Sequence, residues 1–288
     1  VNISYSANFF TIFVVKNPLS IGYTLHFAFT TFFHYFVITN SWVLSSARLP
    51  NFLLLWYLIL PMISKKKVLI VEAHSDDSCI SIGGFLEKFR DRYEYHFALL
   101  ANSDLYLHHK GFLSRNERMQ EFEAYVNHFN GFWHREGDIP FDYDCRLDTL
   151  PKKDIVGAIE KVISAVEPEI LICQGPSFHH DHSLVYESTI AATRPTARHC
   201  PSEIYVMENP TYVHSLGPQT DFKPDLYVNI SDEELKRKLD CYRRFFPSQI
   251  REDKNYLSEE GLRSWARYRG IEARCKYAEA LMTYLRVV

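Results

Sequence analysis

From Met62 onward, short and nearly continuous apolar runs alternate with stretches of helical periodicity. The runs "VLIVEA" (68–73), "YHFALLA" (95–101) and "EILICQ" (169–174) offer water no polar face, as expected of strands covered on both sides. "EIYVME" and "LYVNI" read as further strands. Between them Met119, Phe122, Val126 and Phe129 recur at helical spacing behind a capping box of Ser114 and Glu117. A second stripe, Ile155, Ile159, Val162 and Val166, opens near Pro151 and closes at Pro168. A third, Leu235, Leu239 and Tyr242, follows the capping pair Ser231 and Glu234 and stops at Pro247. A last helix is expected from about Ser258 to the C-terminus. Strand-helix alternation of this kind predicts one α/β domain with a mostly parallel sheet between two helical layers.

The first 61 residues break this pattern. Between Val1 and Pro61 the charged residues are Lys16 and Arg48 alone, and the first acid of the chain is Glu72. The segment therefore reads in three ways: a membrane anchor, an extra packed element, or the product of an upstream start, with the native chain beginning at Met62. The last is the favoured expectation, dividing the chain into 1–61 and a domain at 62–288. If the segment were an anchor, the lysines at 65–67 would hold the rest on the cytoplasmic side.

A net charge of −3 and a pI near 6.5 argue against a protein built to neutralise nucleic-acid phosphates. Six scattered cysteines without a C-x-x-C pair suggest neither a zinc knuckle nor a disulfide framework, and suit the reducing cytoplasm.

Chemistry-bearing residues cluster where two of the apolar runs end. "AHSDD" follows the first strand, at the carboxyl end where open α/β sheets bind ligands. His74 and Asp77, three apart, can converge if a helix starts near Ser78, and that helix's N-terminus would favour ionised carboxylates. Asp76 and Asp77 are adjacent and cannot point the same way, so one can bind a metal while the other faces what the metal polarises. An Asp and a Ser before a helix are also ordinary capping residues. "QGPSFHHDHSL" follows the strand "EILICQ", before a helix expected near Ser183. Together the clusters supply His74, Asp77 and one later histidine. Three protein ligands with an open position describe a catalytic rather than a structural metal site.

These residues carry a family resemblance. "AHSDD" resembles the A-H-P-D-D motif of the PIG-L/LmbE-type N-acetylglucosaminyl deacetylases, and "HHDH" resembles their H-x-D-H motif. "RMQEFEA" is similar to the family's R-x-x-E-x-x-A helix, "FKPDLYVNIS" with a later lysine and "SQ" to a following segment, and "ARYRGIEARCKYAEAL" to its ending. Ser75 stands where the family has proline and Ser78 where it often has glutamate. The resemblance implies a Rossmann-like three-layer fold with a metal site at the carboxyl ends of the strands. It implies a zinc-dependent hydrolase that removes an N-acetyl group from an N-acetylglucosamine-type amide by attack of a metal-activated water on the carbonyl. His74, Asp77 and His182 would bind zinc, Asp76 would be the general base, and His179 would stabilise the oxyanion and protonate the amine. Asp181 would hold the His179 imidazole, and Arg118, with Glu121, would lie on the helix that approaches substrate. Arg118 and Glu121 also read as a surface ion pair. His180 has no assigned role.

Substrates compatible with this chemistry range from a free aminosugar or glycolipid to a thiol-linked glycoside or antibiotic precursor. Two histidines and a carboxylate also suit Fe(II), but the Asp76–His179 pair favours hydrolysis and hence zinc. Two rivals remain. The "KKKVLIVEAHSDD" opening also resembles a magnesium-binding response-regulator receiver, although the later acid is only Asp104 and no partner lysine stands out. The other is a family member that binds metal without turnover.

Overall fold

A computed structural model of the chain describes residues 3–7, 10–16, 23–31, 34–38, 65–210, 222–252 and 254–288. It divides into two units, Val1–Ser64 and Lys65–Val288. In the first, β1 (Ile3–Ala7), β2 (Phe10–Lys16), β3 (Tyr23–Thr31) and β4 (His34–Ile38) pair antiparallel in sequential order. The boundary expected at Met62 lies outside the described residues, as does much of the segment considered as an anchor. Among the described residues no helix is long and apolar enough to cross a membrane.

The second unit is a mixed, mostly parallel α/β sheet. Its strands are β5 (Lys66–Glu72), β6 (Tyr93–Leu99), β9 (Phe132–Trp133), β10 (Ile170–Gln174), β11 (Glu203–Met207), β12 (Leu226–Ile230) and β13 (Tyr277–Arg286), in the order β12-β13-β11-β10-β5-β6-β9. A small hairpin of β7 (Leu105–Leu107) and β8 (Gly111–Leu113) stands apart from it. The helices are α1 (Asp77–Phe89), α2 (Arg115–His128), α3 (Lys152–Val166), α4 (His180–Ala192), α5 (Asp232–Phe245) and α6 (Glu259–Glu272).

The unbroken apolar runs follow from burial on both faces. Along β5, Val68 and Ile70 join one core with Leu86 of α1, Phe122 of α2 and Leu239 of α5. Leu69 and Val71 point the other way, into a second core with Ile159 of α3 and Val185 of α4. Both predicted capping boxes form, at Ser114–Glu117 and Ser231–Glu234. The helix starts expected near Ser78 and Ser183 fall slightly earlier, at Asp77 and His180.

The expected final helix is a correction. Helix α6 ends at Glu272, and the chain then re-enters the sheet as β13, antiparallel to both β11 and β12. The reversal is tight: a Cβ at Gly270 would lie 2.5 Å from the Lys276 carbonyl oxygen, and Arg274 takes a positive φ of 58°. A short apolar run such as "YAEALM" fits a buried helix or a buried strand equally well by pattern.

That strand supplies a residue on which the helix carrying the first motif depends. Helix α1 is broken at Ile82 (φ −130°, ψ 20°), next to Gly83 and Gly84. The backbone N–H groups of Gly84 and Phe85 donate instead to the buried carboxylate of Glu279, at 2.9 and 2.6 Å. Lys238 of α5 donates to the same group at 2.6 Å. Glycine is needed at the break, because a Cβ on Gly83 would meet Lys238 Cγ at 2.9 Å and one on Gly84 would meet Ile230 Cδ1 at 2.8 Å. Lys238, beyond the "FKPDLYVNIS" segment, and the glutamate of "KYAEAL" thus serve one helix kink. Replacing Glu279 by Ala strands a buried ammonium and two N–H groups, and should destabilise the unit by about 3–5 kcal/mol. Urea unfolding followed by far-ultraviolet circular dichroism measures this, and an unchanged midpoint would contradict the assignment.

Candidate metal centre

Strands β5 and β10 are parallel neighbours, with Val68 opposite Ile170 and Val71 opposite Cys173. Their helices leave to opposite faces, α1 into the first core and α4 into the second. This divergence opens a crevice at the carboxyl ends of the two strands. His74 leaves β5 there in a tight turn. The Asp77 Oδ2 accepts the His74 backbone N–H at 2.8 Å, and the His74 carbonyl accepts the Asp77 N–H at 3.3 Å. With Ser75 in place of proline, this turn is held by the Asp77 carboxylate. Asp76 occupies the N-cap position of α1 but makes no side-chain cap hydrogen bond, so capping is not its role. From the β10 side, Gly175 lets the chain pass the end of β11, where a Cβ would lie 2.7 Å from the Met207 carbonyl oxygen. The following loop leads to His179, Asp181 and His182 at the start of α4.

The two loops meet. His74 Nδ1 lies 3.1 Å from His182 Nε2, Asp77 Oδ1 3.3 Å from His182 Nε2, and Asp77 Oδ2 3.6 Å from His74 Nδ1. Tetrahedral zinc with nitrogen and oxygen ligands near 2.0 Å sets its donors about 3.3 Å apart. The His74 and His182 nitrogens, 3.1 Å apart, are spaced close to two such donors, and the Asp77 carboxylate approaches each of them with a different oxygen. His74, His179 and His182 also bring one nitrogen each within 4.8 Å of one another, but Asp77 adds the negative charge that a divalent ion favours.

Outer contacts fix the orientation of each group. Ser177 Oγ is 2.8 Å from His182 Nδ1, with the Gln174 amide at 3.3 Å, which turns His182 Nε2 toward His74. Asn209 Nδ2 donates to Asp77 Oδ1 at 3.1 Å. Beside Asn209, buried Glu208 is clamped by Arg269 and Trp265 of α6. Asp181 was expected to hold His179. Its hydrogen bonds run to His74 Nε2 at 3.2 Å and to the backbone N–H groups of Cys145 and Leu147 at 2.7 and 3.0 Å, and it acts on His179 through its charge. By accepting from His74 Nε2, Asp181 leaves Nδ1 to face Asp77 and His182.

A third loop, 141–147, completes the wall. Asp144 is buried, pairs with Arg118 of α2, and has Oδ1 3.4 Å from His74 Nε2. Arg118 is 3 % exposed and also donates to the Ser103 carbonyl at 3.0 Å, so it is not a surface partner of Glu121. Glu121 instead accepts from Ser248 at 3.1 Å. His180 sits outside the cluster, exposed, within 2.8 Å of the Cys145 carbonyl. Asp76, Arg118, Asp144, His179 and the paired histidines line one cleft of about 700 Å³, its open mouth included, together with Gln249 and Arg251. Asp144, Asn209 and Ser177 were missed in the sequence. Ser177 lies inside the second motif and Asn209 just beyond a strand end, so position alone marks them, whereas nothing marks Asp144.

The adjacent aspartates are driven apart electrostatically. Burial and the charge of Asp77 push Asp76 up to about 6, against the opposing pull of His74 and Arg118. Burial also works against an ionised Asp77, but His182 and His74 outweigh it and hold the group far below the carboxylate range. Burial, with the nearby charge of Asp77, keeps Glu72 well above its usual value. For His74 the penalty of burial is overcome by Asp181 and Asp77, which hold it well above an ordinary imidazole. Burial, then His74 and His182, press His179 down to about 4. The ring of Asp77, Asp144 and Asp181 around His74 thus asks for positive charge at its centre.

Residues 69–193 match the protein-family model PIG-L, described as GlcNAc-PI de-N-acetylase. No curated protein matches the chain. Among solved structures, the N,N'-diacetylchitobiose deacetylase of Pyrococcus horikoshii is similar at 20% identity over 82% of this chain and 90% of its own, with a TM-score of 0.54. The 4-carboxy-2-hydroxymuconate hydratase of Pseudomonas putida is similar at 20% identity, covering 77% and 98%, with a TM-score of 0.58. The zinc inhibited form of a teicoplanin deacetylase matches at 14% identity, covering 76% and 98%, with a TM-score of 0.56. The two motif loops, the β5–β10 crevice and the match to the PIG-L family model lie on the same stretch of chain, residues 69–193.

Proposed function

We propose that this protein is a divalent-metal-dependent N-deacetylase acting on an N-acetylglucosamine-type amide. The observation that carries this reading is the 3.1–3.6 Å convergence of His74, Asp77 and His182 in a cleft that also holds Asp76 and His179. His74 Nδ1, His182 Nε2 and the Asp77 carboxylate would hold zinc, with Fe(II) the other ion that the donor set suits. Bound zinc supplies a Lewis acid for the amide carbonyl and lowers the pKa of water to about 7.

The chain's own groups divide the remaining work. Asp76, next to the ligand Asp77 and free of a capping duty, takes the proton of the attacking water. A carboxylate raised to about 6 can also hand that proton back to the departing amine. His179 presents an imidazole N–H to the oxygen that gains charge, and relays a proton to the nitrogen once it carries one. Asp181 keeps His74 in the tautomer whose Nδ1 faces the metal and pins the loop bearing Asp144. Arg118, held by Asp144, lies on the cleft wall where substrate hydroxyls would enter. The family description and the chitobiose deacetylase support an acetylated sugar or glycoconjugate as the small-molecule substrate. The hydratase neighbour shows why the fold alone does not decide the reaction. The catalytic unit is the domain expected from Met62 onward, and six free cysteines suit it to the cytoplasm. Membrane association follows only if residues 1–61 form an anchor.

Incubation with a panel of N-acetylglucosamine derivatives should release free amine, chelation should abolish the release, and zinc should restore it. No amine from any member of the panel would refute the proposal. Asp77→Ala should lose bound zinc and activity together, whereas Asp76→Ala should keep zinc and lose turnover by about 10²–10⁴-fold. Loss of zinc from Asp76→Ala would reverse the two assignments. Ser177→Ala should weaken zinc binding by about 10–100-fold in a competition titration, and unaltered affinity would show that Ser177 does not orient His182.

A further inference from the structure

Cys145 is absorbed by none of the roles above, yet it stands at the wall of the cleft. It is exposed, and its backbone takes a positive φ of 59°, held there by Asp181, which accepts its N–H at 2.7 Å. Its Sγ lies 3.6 Å from His179 Nε2 and 3.3 Å from Asp144 Oδ1. Cys145 Sγ, a nitrogen of His179 and a carboxylate oxygen of Asp181 all fall within 4.8 Å of one another. An ion bonded to sulfur at about 2.3 Å and to imidazole nitrogen at about 2.0–2.1 Å in tetrahedral geometry separates the two donors by about 3.5 Å. The observed sulfur–nitrogen distance matches that requirement without movement of either side chain.

We propose that Cys145, His179 and Asp181 form a second cation site, selective for soft divalent ions such as cadmium or excess zinc. It differs from the His74–Asp77–His182 set in containing a thiolate, the ligand that favours soft over hard ions. On binding, the Cys145 S–H bond is broken, the proton passes to solvent and a metal–sulfur bond forms, with no change of oxidation state. The ion also takes the His179 Nε2 lone pair, so that imidazole can no longer face substrate. The site itself stands on geometry alone; its inhibitory consequence rests on the deacetylase reading of His179.

The test titrates cadmium into the full chain preloaded with one equivalent of zinc. It follows the ultraviolet thiolate-to-cadmium charge-transfer band and counts bound metal by equilibrium dialysis. Cadmium that merely replaces zinc among His74, Asp77 and His182 gives no such band. The wild type should develop the band and bind one further ion. C145S and C145G should both lose the band and the extra ion while keeping the first. H179A should weaken the second binding event by about tenfold or more. The glycine variant guards against misfolding of the serine variant, because the positive φ suits glycine. A wild type that saturates without the band, or a band that persists in both Cys145 variants, would overturn the site. If the band grows with no loss of deacetylase activity, the inhibitory consequence is overturned and the site is not. Absence of any deacetylase activity bears on the function and leaves the band test intact.

Discussion

The parallel pairing of β5 with β10 is the constraint on which the rest of this structure depends. Backbone hydrogen bonds between the two strands, and the burial of Val68–Val71 and Ile170–Cys173 between two helical layers, fix where each strand ends. Because α1 and α4 leave to opposite faces, the ends are not covered by their own helices. Two loops separated by about a hundred residues therefore deliver His74 and His182 to within 3.1 Å of each other. Catalytic groups placed on rigid strand ends keep their geometry better than groups on long loops. Here every group in the cluster is additionally tied from behind: His182 by Ser177, Asp77 by Asn209, and His74 by Asp181.

Electrostatics and packing act in concert around this junction. Three carboxylates converge on His74, and their charges outweigh the cost of burying a cation-like group there. The same charges separate Asp76 from Asp77, so two chemically identical neighbours acquire opposite tendencies, one to stay ionised and one to exchange a proton near neutrality. The helix kink at Ile82 belongs to the same arrangement. It places the Gly83–Gly84 pair against α5 and β12, and Glu279 from the last strand collects the N–H groups that the kink releases.

Much of this is legible in the sequence, for identifiable reasons. Strands buried on both faces leave unbroken apolar runs, capping boxes have fixed spacing, and polar residues after a core strand stand out because they break a run. So β5, β6, β10 and the starts of α2 and α5 follow from local pattern, as do the two motif clusters. What is not legible is long-range. The last strand carries a short apolar run that suits a buried helix or a buried strand equally, and its partners, β11 and β12, lie far away in sequence. Asp144 sits in a loop of aromatic residues with no periodic signal, and only the fold reveals that it meets Arg118 and His74. The partner of Asp181 is likewise decided by where loop 141–147 passes, which no spacing rule specifies.

The claim at the centre of the account is that one divalent ion is gripped jointly by the ends of β5 and β10. Anomalous X-ray diffraction from crystals of the zinc-loaded chain, recorded at the zinc absorption edge, tests it most directly. The account expects a single strong peak within bonding distance of His74 Nδ1, His182 Nε2 and the Asp77 carboxylate. A peak elsewhere, or one bound by residues of only one of the two loops, would contradict it.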